Sequence, residues 1–283
     1  MPEVQIDADG RSGGPNALLF PGQGSQDRAL HELARQHCPE LIAQAAATLG
    51  VDPFERIETG TAYLQPALYC GGLAHWRAAG APAADFAAGH SLGELAALSA
   101  AGYLSPDEGM RLVLARATAM HRASEAGEAG GLLAVVGPRE RALALGERHG
   151  LTLAADNEPE QIVLSGPLVG LQAARAGARE CGLKAVRLRV PAALHSSAML
   201  PAVAPFRRAL ETATLAAPRM VVIANVTAAP FGDVVSELAL GVVSPVRWRE
   251  TVLGLHAAGV RSYSEMSTAG VLSGLVERTL ATA

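Results

Sequence analysis

Short apolar runs alternate along the chain with longer segments rich in alanine and leucine. Residues 17–20 form an apolar run that ends at a Pro-Gly pair, which predicts a buried strand. Residues 83–88, which are apolar apart from Asp85, lead into a turn of glycine and serine. Residues 92–101 then predict a helix ending at Gly102, because glycine readily adopts the left-handed conformation of a helix C-terminus. This pattern predicts an α/β fold.

The same patterns predict further elements on both sides of this turn. Ser105 is a helix cap, followed by a proline at the first position and two acidic residues in the first turn. That helix is predicted to run through Arg116 to Ser124. The remaining elements are a helix over 64–78 with Pro66 in its first turn, strands over 220–224 and 261–265, and helices over 244–256, with Pro245 at its start, and over 270–280.

The pattern changes after an acidic, glycine-rich segment at 125–131. The next elements are predicted in the order strand, helix, strand, strand, helix, strand, which is typical of a ferredoxin-like unit. They are strands over 131–136, 151–155, 161–165 and 184–190, and helices over 138–149 and 167–181. We therefore predict a large α/β-hydrolase-like domain with a mostly parallel sheet and a small inserted ferredoxin-like domain. The predicted boundaries are a flexible tail over 1–15, the large domain over 16–128 and 195–283, and the small domain over 129–194.

Composition narrows the class of protein. Of the 283 residues, 49% are hydrophobic, which is enough for a sizeable core, and the formal net charge of −4 gives no basic field for nucleic acid. No uncharged apolar run approaches the roughly 20 residues that a membrane span needs. Cys38, Cys70 and Cys181 are few, odd in number and far apart, which favours reduced thiols over a disulfide framework or a metal site. We expect a cytoplasmic protein that binds neither nucleic acid nor membrane.

Gly89-His90-Ser91-Leu92-Gly93 has the GxSxG pattern of a nucleophile elbow. In such an elbow the serine lies on a strained turn between a strand and a helix, and small residues flank it. The following helix directs backbone N–H groups towards the reacting centre, where negative charge develops. These five residues alone are also compatible with a Gly/Ser turn that has no chemistry.

A nucleophilic serine needs a base, and four histidines follow it in the sequence. They are His121, His149, His195 and His256. His195 differs from the others because it follows a predicted strand and the break at Pro191, where a ring among small residues can face a cleft. Taken alone, it is equally well explained as a structural histidine.

Several ordered segments accompany this serine and this histidine. They are Phe20–Gln26, Gln65–Leu68, Gly89–Leu98, Arg116 with Met120, Ala155–Gln161, His195-Ser196, Asn225–Thr227 and Ser244–Trp248. Together they resemble the motifs of the malonyl-CoA:acyl-carrier-protein transacylases and the related polyketide synthase acyltransferase domains. The resemblance covers nearly the whole chain after residue 15.

The resemblance implies a role for each site residue. Ser91 takes the acyl group as an ester, and His195 accepts its proton and returns it to the leaving thiol. The backbone N–H groups of Gln23 and Leu92 form the oxyanion hole. A backbone carbonyl near Asn225 orients the imidazole, because an acidic third member is not usual in this family.

The resemblance also places Arg116 where the family has an acyl-binding arginine. A guanidinium can hold a carboxylate through two parallel hydrogen bonds. A malonyl group carries a carboxylate at its far end, whereas acetyl and fatty acyl groups do not. Without the resemblance, an ion pair of Arg116 with a protein carboxylate on the helix surface is the better explanation.

The implied reaction moves a malonyl or related carboxyacyl group from coenzyme A to the phosphopantetheine thiol of an acyl carrier protein. Both thiol compounds are substrates, and no metal or redox cofactor is needed. We expect a monomer with a local basic surface for the acidic carrier protein. Candidates for this surface, which are also compatible with ordinary solvated charges, are Lys184, Arg187 and Arg189, or Arg207 and Arg208.

Three segments depart from the family's pattern. Leu194 stands where Phe or Ser usually precedes the histidine, which indicates a roomier pocket and an altered acyl preference. Gly241 replaces a usual glutamine, and residues 265–269 lack the glycines of a common motif. These departures favour a discrete acyltransferase of a polyketide pathway over a fatty-acid enzyme.

Three alternatives remain open at this point. One is an acyltransferase that uses a non-malonyl acyl group or an acyl-carrier donor. Another is a hydrolase, which is either an editing acyl-hydrolase of the same family or an α/β-hydrolase with a triad in the order Ser91, Asp233, His256. The third is a non-catalytic protein that docks a carrier.

Overall fold

Two four-stranded sheets form the framework of the protein. The computed structural model describes residues 14–24 and 28–282, so the predicted tail lies outside the described residues apart from Gly14 and Pro15. The strands are β1 (Asn16–Phe20), β2 (Phe86–Gly89), β3 (Gly130–Val136), β4 (Thr152–Glu158), β5 (Gln161–Pro167), β6 (Lys184–Arg187), β7 (Val221–Ile223) and β8 (Ser262–Glu265). The α-helices are α1 (Arg28–His37), α2 (Pro39–Leu49), α3 (Thr61–Ala78), α4 (Gly93–Ala101), α5 (Pro106–Ala126), α6 (Arg139–Arg148), α7 (Leu168–Gly177), α8 (Leu200–Glu211), α9 (Val234–Gly241), α10 (Trp248–Ala257) and α11 (Val271–Leu280).

The first sheet is parallel and carries the predicted elbow. Its strand order is β7-β2-β1-β8, and each neighbouring pair runs in the same direction. The two central strands, β1 and β2, are buried on both faces, which explains why their sequences are continuous apolar runs rather than alternating ones. Helix α4 leaves the end of β2 and is buried along its whole length. Its alanines allow the close packing that a core with few aromatic residues requires.

The second sheet is antiparallel and has the strand order β4-β5-β3-β6. Its connections follow the predicted order strand, helix, strand, strand, helix, strand, with α6 and α7 as the helices. One face packs on these helices through a separate apolar core that includes Leu133, Leu145 and Leu171. Side chains of the other face, including Leu132 and Val163, join the core of the first sheet. The second sheet therefore closes one side of the space above the elbow.

The predicted helix over 244–256 was wrong in its first turn, because α10 begins only at Trp248. Val246 instead forms a parallel bridge with Ala155 of β4. The N–H of Asp156 donates to the Val246 carbonyl, and the N–H of Val246 donates to the Ala154 carbonyl, both at 2.9 Å. Backbone groups paired with a strand are not available to a helix, so this segment stays extended and joins the two sheets.

Two further boundaries differ from the prediction. Helix α3 begins at Thr61, so Pro66 lies inside the helix rather than in its first turn. Strand β6 ends at Arg187 instead of reaching residue 190, and the chain then continues along the cleft between the sheets. Helices α2, α8 and α9 have no counterpart among the elements predicted from the sequence.

The glycines of the elbow are required by close backbone approach. A Cβ at Gly89 would lie 1.9 Å from the carbonyl carbon of Gly93, and a Cβ at Gly93 would lie 2.0 Å from the Phe20 carbonyl oxygen. No side chain fits at either distance, so both positions need glycine although neither has a positive φ. The requirement thus comes from the packing of the turn against its own helix and against β1.

Candidate active site

Ser91 and His195 meet at the end of the parallel sheet. Ser91 lies in the turn between β2 and α4, and its Oγ is 2.8 Å from Nε2 of His195. Ser91 has φ +55° and His195 has φ +54°. A positive φ is unusual for residues other than glycine and persists only where the surroundings enforce it. Both partners are therefore held in strained backbone conformations.

Two backbone carbonyls hold the ring of His195. Its Nδ1 lies 2.8 Å from the carbonyl oxygen of Gly241 and 3.0 Å from that of Ser244. Since a carbonyl only accepts hydrogen bonds, Nδ1 carries the proton and Nε2 has a free lone pair towards Ser91. The prediction that a carbonyl near Asn225 orients this ring was wrong in position, although a carbonyl does the orienting.

Asn225 contacts the elbow instead. Its side-chain Oδ1 accepts the backbone N–H of Ser91, and its Nδ2 donates to the carbonyl of Gly89, both at 2.7 Å. The Asn225 carbonyl itself accepts the N–H of Arg247 at 3.1 Å. Asn225 thus holds the turn that carries Ser91 and does not hold the ring of His195.

Arg116 reaches the nucleophile from helix α5. The residue is 6% exposed, its Nη2 donates to Ser91 Oγ at 3.1 Å, and its Nη1 donates to Gln65 Oε1 at 2.6 Å. Burial lowers the pKa of Arg116 to about 10, and nearby Glu94 offsets part of that effect. The guanidinium therefore remains charged at neutral pH. The role of Gln65 was not identified from the sequence, although its segment was among the quoted motifs.

A further hydrogen bond joins the elbow to the second sheet. Nε2 of His90 lies 2.9 Å from Oδ1 of Asn157 in β4, and Asn157 Nδ2 donates to Gln161 Oε1 at 3.1 Å. Burial lowers the pKa of His90, so the ring is neutral at neutral pH. This contact links two of the quoted motifs, but its existence could not be inferred from either motif alone.

Ser91 and His195 open onto a cleft of about 270 Å³ between the two sheets. The predicted site residues in its lining are Gln23, Ser91, Leu92, Arg116, Leu194 and His195. The second sheet contributes apolar walls through Leu132, Ala154 and Val163. A larger groove of about 650 Å³ lies between α2, α5 and α8, but neither Ser91 nor His195 lines it. The smaller cleft is therefore the candidate active site.

The alternative triad is not assembled. Asp233 caps α9 by accepting the N–H of Ser236 at 3.1 Å, and His256 contacts Arg261 near the surface. Across the described ranges, no group of three or more metal-ligating side chains is placed to hold a metal ion. No helix among the described residues is both long enough and apolar enough to cross a membrane.

The acylation rate is expected to stay constant from about pH 6 to 8 and to fall below about pH 5. Burial, followed by the charges of Arg116 and His90, lowers the pKa of His195 to about 4, and its two carbonyl contacts offset only part of this. Because its pKa is lowered, the imidazole stays unprotonated, and able to accept the serine proton, at pH values well below the ordinary pKa of histidine. Single-turnover acylation measured across this range, with circular dichroism to verify folding, tests the expectation. A midpoint near the ordinary histidine value would contradict it.

The elbow, its neutral base and the buried arginine define an enzyme of the class that forms acyl-serine intermediates. In a comparison with known protein families, residues 54–283 match the family described as the acyl transferase domain. The chain therefore belongs to the acyl transferase domain family and is an acyltransferase, which confirms the resemblance seen in its motifs.

Individual relatives agree with this assignment. The polyketide biosynthesis protein ThaF of Burkholderia thailandensis is 38% identical over 94% of this chain, which spans only 24% of that protein. A malonyl CoA-acyl carrier protein transacylase of Synechocystis is 34% identical, with 93% of each chain covered. The crystal structure of a malonyl CoA-acyl carrier protein transacylase from Burkholderia pseudomallei has a TM-score of 0.87 and 33% identity, covering 96% of this chain and 99% of that one.

Proposed function

We propose that this enzyme transfers a malonyl group from coenzyme A to the phosphopantetheine thiol of an acyl carrier protein through an acyl ester on Ser91. The observation that carries the proposal is the buried guanidinium of Arg116, 3.1 Å from Ser91 Oγ. Among the described residues, no carboxylate forms an ion pair with it. A buried cation that no protein carboxylate contacts is costly, and the carboxylate of a malonyl group supplies that contact.

In the first half-reaction Ser91 Oγ attacks the thioester carbonyl, and Nε2 of His195 removes the hydroxyl proton. The new C–O bond forms first and gives a tetrahedral oxyanion. Its collapse breaks the C–S bond, and the proton passes from His195 to the departing thiolate of coenzyme A. The backbone N–H groups of Gln23 and Leu92 stabilise the oxyanion. Both residues line the cleft beside Ser91, and Leu92 precedes the first turn of α4, where N–H groups have no partner inside the helix.

The second half-reaction reverses these steps with a different thiol. His195 takes the proton of the phosphopantetheine thiol, the sulfur attacks the ester, and Ser91 Oγ recovers the proton. The first half-reaction converts a thioester into an oxygen ester, and the second converts that ester back into a thioester. No atom changes its oxidation state, so no metal or redox cofactor enters the scheme. The apolar cleft walls limit access of water to the ester, which favours transfer over hydrolysis.

The relatives support this substrate and partner by their names, which include transacylases acting between malonyl-CoA and an acyl carrier protein. The chain covers 93% of the Synechocystis transacylase but only about a quarter of ThaF. We therefore assign the transfer step to this chain, in fatty-acid or polyketide synthesis. The altered positions 194, 241 and 265–269 support a polyketide pathway within this proposal.

The finer description of the architecture is also part of the proposal. The parallel sheet with a serine at the β2–α4 turn supports an α/β-hydrolase-like large domain over 16–128 and 195–283. The strand order of the antiparallel sheet and its separate core support a ferredoxin-like domain over 129–194. The serine, the histidine and the arginine all come from one chain, so the proposed monomer has a complete site. The three unpaired thiols support a cytoplasmic location.

The surface near β6 supports docking of the carrier protein. Lys184 and Arg187 are exposed on this edge strand, and Arg189 lines the cleft. Arg207 is instead bonded to Ser236 Oγ at 3.1 Å and lies 3.8 Å from Glu211, so it is less available. An acidic carrier that approaches the β6 side would present its phosphopantetheine arm to the cleft mouth.

The central test is transfer from a malonyl-loaded enzyme. Intact-mass analysis is expected to show a malonyl adduct after incubation with malonyl-CoA, and the adduct should disappear on adding a carrier protein that bears phosphopantetheine. The same carrier without its phosphopantetheine is the control and should leave the adduct in place. Loss of the adduct at equal rates with both carriers would indicate hydrolysis and would contradict the proposed transfer.

A further inference from the structure

A closed set of hydrogen bonds surrounds the nucleophile and is not part of the acyl-transfer steps. Asn225 bonds to the two peptide groups that lead into Ser91, accepting the Ser91 N–H and donating to the Gly89 carbonyl, each at 2.7 Å. It follows β7 in the sequence, and its side chain spans the elbow. We call Asn225, together with Glu94 described below, the brace. The residue is 2% exposed, so water does not compete for these bonds.

Glu94 completes the set from the first turn of α4. Its Oε1 accepts the backbone N–H of Asn225 at 2.7 Å, and the side chain is buried at 6% exposure. Helix α4, which begins at the elbow, thus holds Asn225 in place, and Asn225 in turn holds the elbow. A Cβ placed on Gly241 would lie 3.7 Å from Oε2 of Glu94, so the carboxyl group also borders the segment whose carbonyl holds His195.

This brace acts where the backbone is strained. Ser91 has φ +55°, a conformation that non-glycine residues leave unless contacts hold them. The bonds to Asn225 fix the two peptide groups before the Ser91 Cα, and the Glu94 N–H fixes the following one by donating to the Ser91 carbonyl at 3.2 Å. Together these bonds fix the direction of the Ser91 Cα–Cβ bond. The 2.8 Å contact of Oγ with His195 depends on that direction.

We propose that Glu94, acting through Asn225, is a positioning residue that holds Ser91 in its reactive conformation. The proposal rests on the proposed function for its assay but concerns the rate of acylation rather than the identity of the acyl group. Burial raises the pKa of Glu94 to about 8, so its carboxyl group is largely protonated at neutral pH. Glutamine reproduces the shape and the acceptor oxygen of this protonated form, whereas leucine keeps only the volume.

The test is single-turnover acylation of Ser91, using whichever member of an acyl-CoA panel loads the wild-type enzyme fastest. Glu94→Leu is expected to lower the maximal acylation rate about 30-fold and to change the half-saturating acyl-CoA concentration by less than about 3-fold. Glu94→Gln should stay within about 3-fold of wild type. The double variant Glu94→Leu/Asn225→Ala should be no slower than Asn225→Ala, because both residues act on one contact.

Glu158→Leu is the matched control, since Glu158 is another buried glutamate, paired with Arg278 outside the brace. It should leave the maximal rate unchanged. An equal loss in this control, or a wild-type rate in a folded Glu94→Leu variant, would overturn the proposal. If Glu94→Leu does not fold, Asn225→Asp, which keeps the acceptor but loses the donor to Gly89, must slow acylation at least about 10-fold. A wild type loaded best by a non-malonyl donor would overturn the proposed substrate but not the brace.

Discussion

Replacement of Ser91 by alanine is expected to abolish the acyl adduct and to reduce malonyl transfer by a factor of about 10⁴ or more. The hydroxyl is the group that becomes the ester, and no other hydroxyl is bonded to His195 Nε2 among the described contacts. Intact-mass analysis and a radiolabel transfer assay measure the two effects separately. A persistent adduct in Ser91→Ala would place the nucleophile elsewhere.

The same experiment separates the two candidate bases. His195→Ala should lower transfer about as strongly as the serine variant, because nucleophile and base act as a unit. His256→Ala is the matched control, since this histidine contacts Arg261 near the surface and does not line the cleft. It should leave the rate within about 2-fold. The reverse outcome would support the α/β-hydrolase triad and contradict the geometry of the cleft.

Replacement of Arg116 by alanine is expected to lower the efficiency with malonyl-CoA about 100-fold or more, while the efficiency with acetyl-CoA changes less than about 10-fold. The variant removes the charged donors that would hold the far carboxylate of the malonyl group. It also removes the 3.1 Å contact with Ser91 Oγ, which is common to both donors. The ratio of the two efficiencies therefore isolates carboxylate recognition from any effect on the nucleophile.

Arg122→Ala is a suitable control for this comparison, because Arg122 lies on the same helix but is exposed and lines the other groove. Neither donor should be affected by it. An equal loss with malonyl-CoA and acetyl-CoA in Arg116→Ala would show that the arginine serves only the nucleophile. In that case the acyl preference would depend on Leu194 and the rest of the cleft lining.

The elbow and the helices near it could be predicted because their determinants are local. Gly102 ends α4 with φ +85°, and Ser105 caps α5 by accepting the N–H of Glu108 at 3.2 Å, as their residue types indicated. Both depend on bonds between residues a few positions apart. The same holds for the order of elements in the second sheet, where each strand and helix has its own hydrophobic pattern.

Predictions failed where a distant segment competes for the backbone. The residues before Trp248 were predicted to be helical from their own pattern, but Val246 pairs with β4. The orienting carbonyl of His195 was assigned to the wrong loop for a related reason. Every residue offers a backbone carbonyl, so no residue type marks Gly241 or Ser244 for this role.

The amino-acid sequence was enough to identify the reactive groups of this enzyme, namely a serine in an elbow, a histidine after a break and an arginine on a helix. The serine is indicated by residue type and short-range order, whereas the roles of His195 and Arg116 followed from the resemblance of several ordered motifs to one family. Which groups are in contact became clear only from the folded chain: Ser91 meets His195 across 104 positions, and Asn225 meets the elbow across 134. The first contact depends on where the segment after β6 returns to the parallel sheet, and the second on the pairing of β7 with β2. A buried hydrogen bond forms only when such tertiary packing brings its donor and acceptor within about 3 Å.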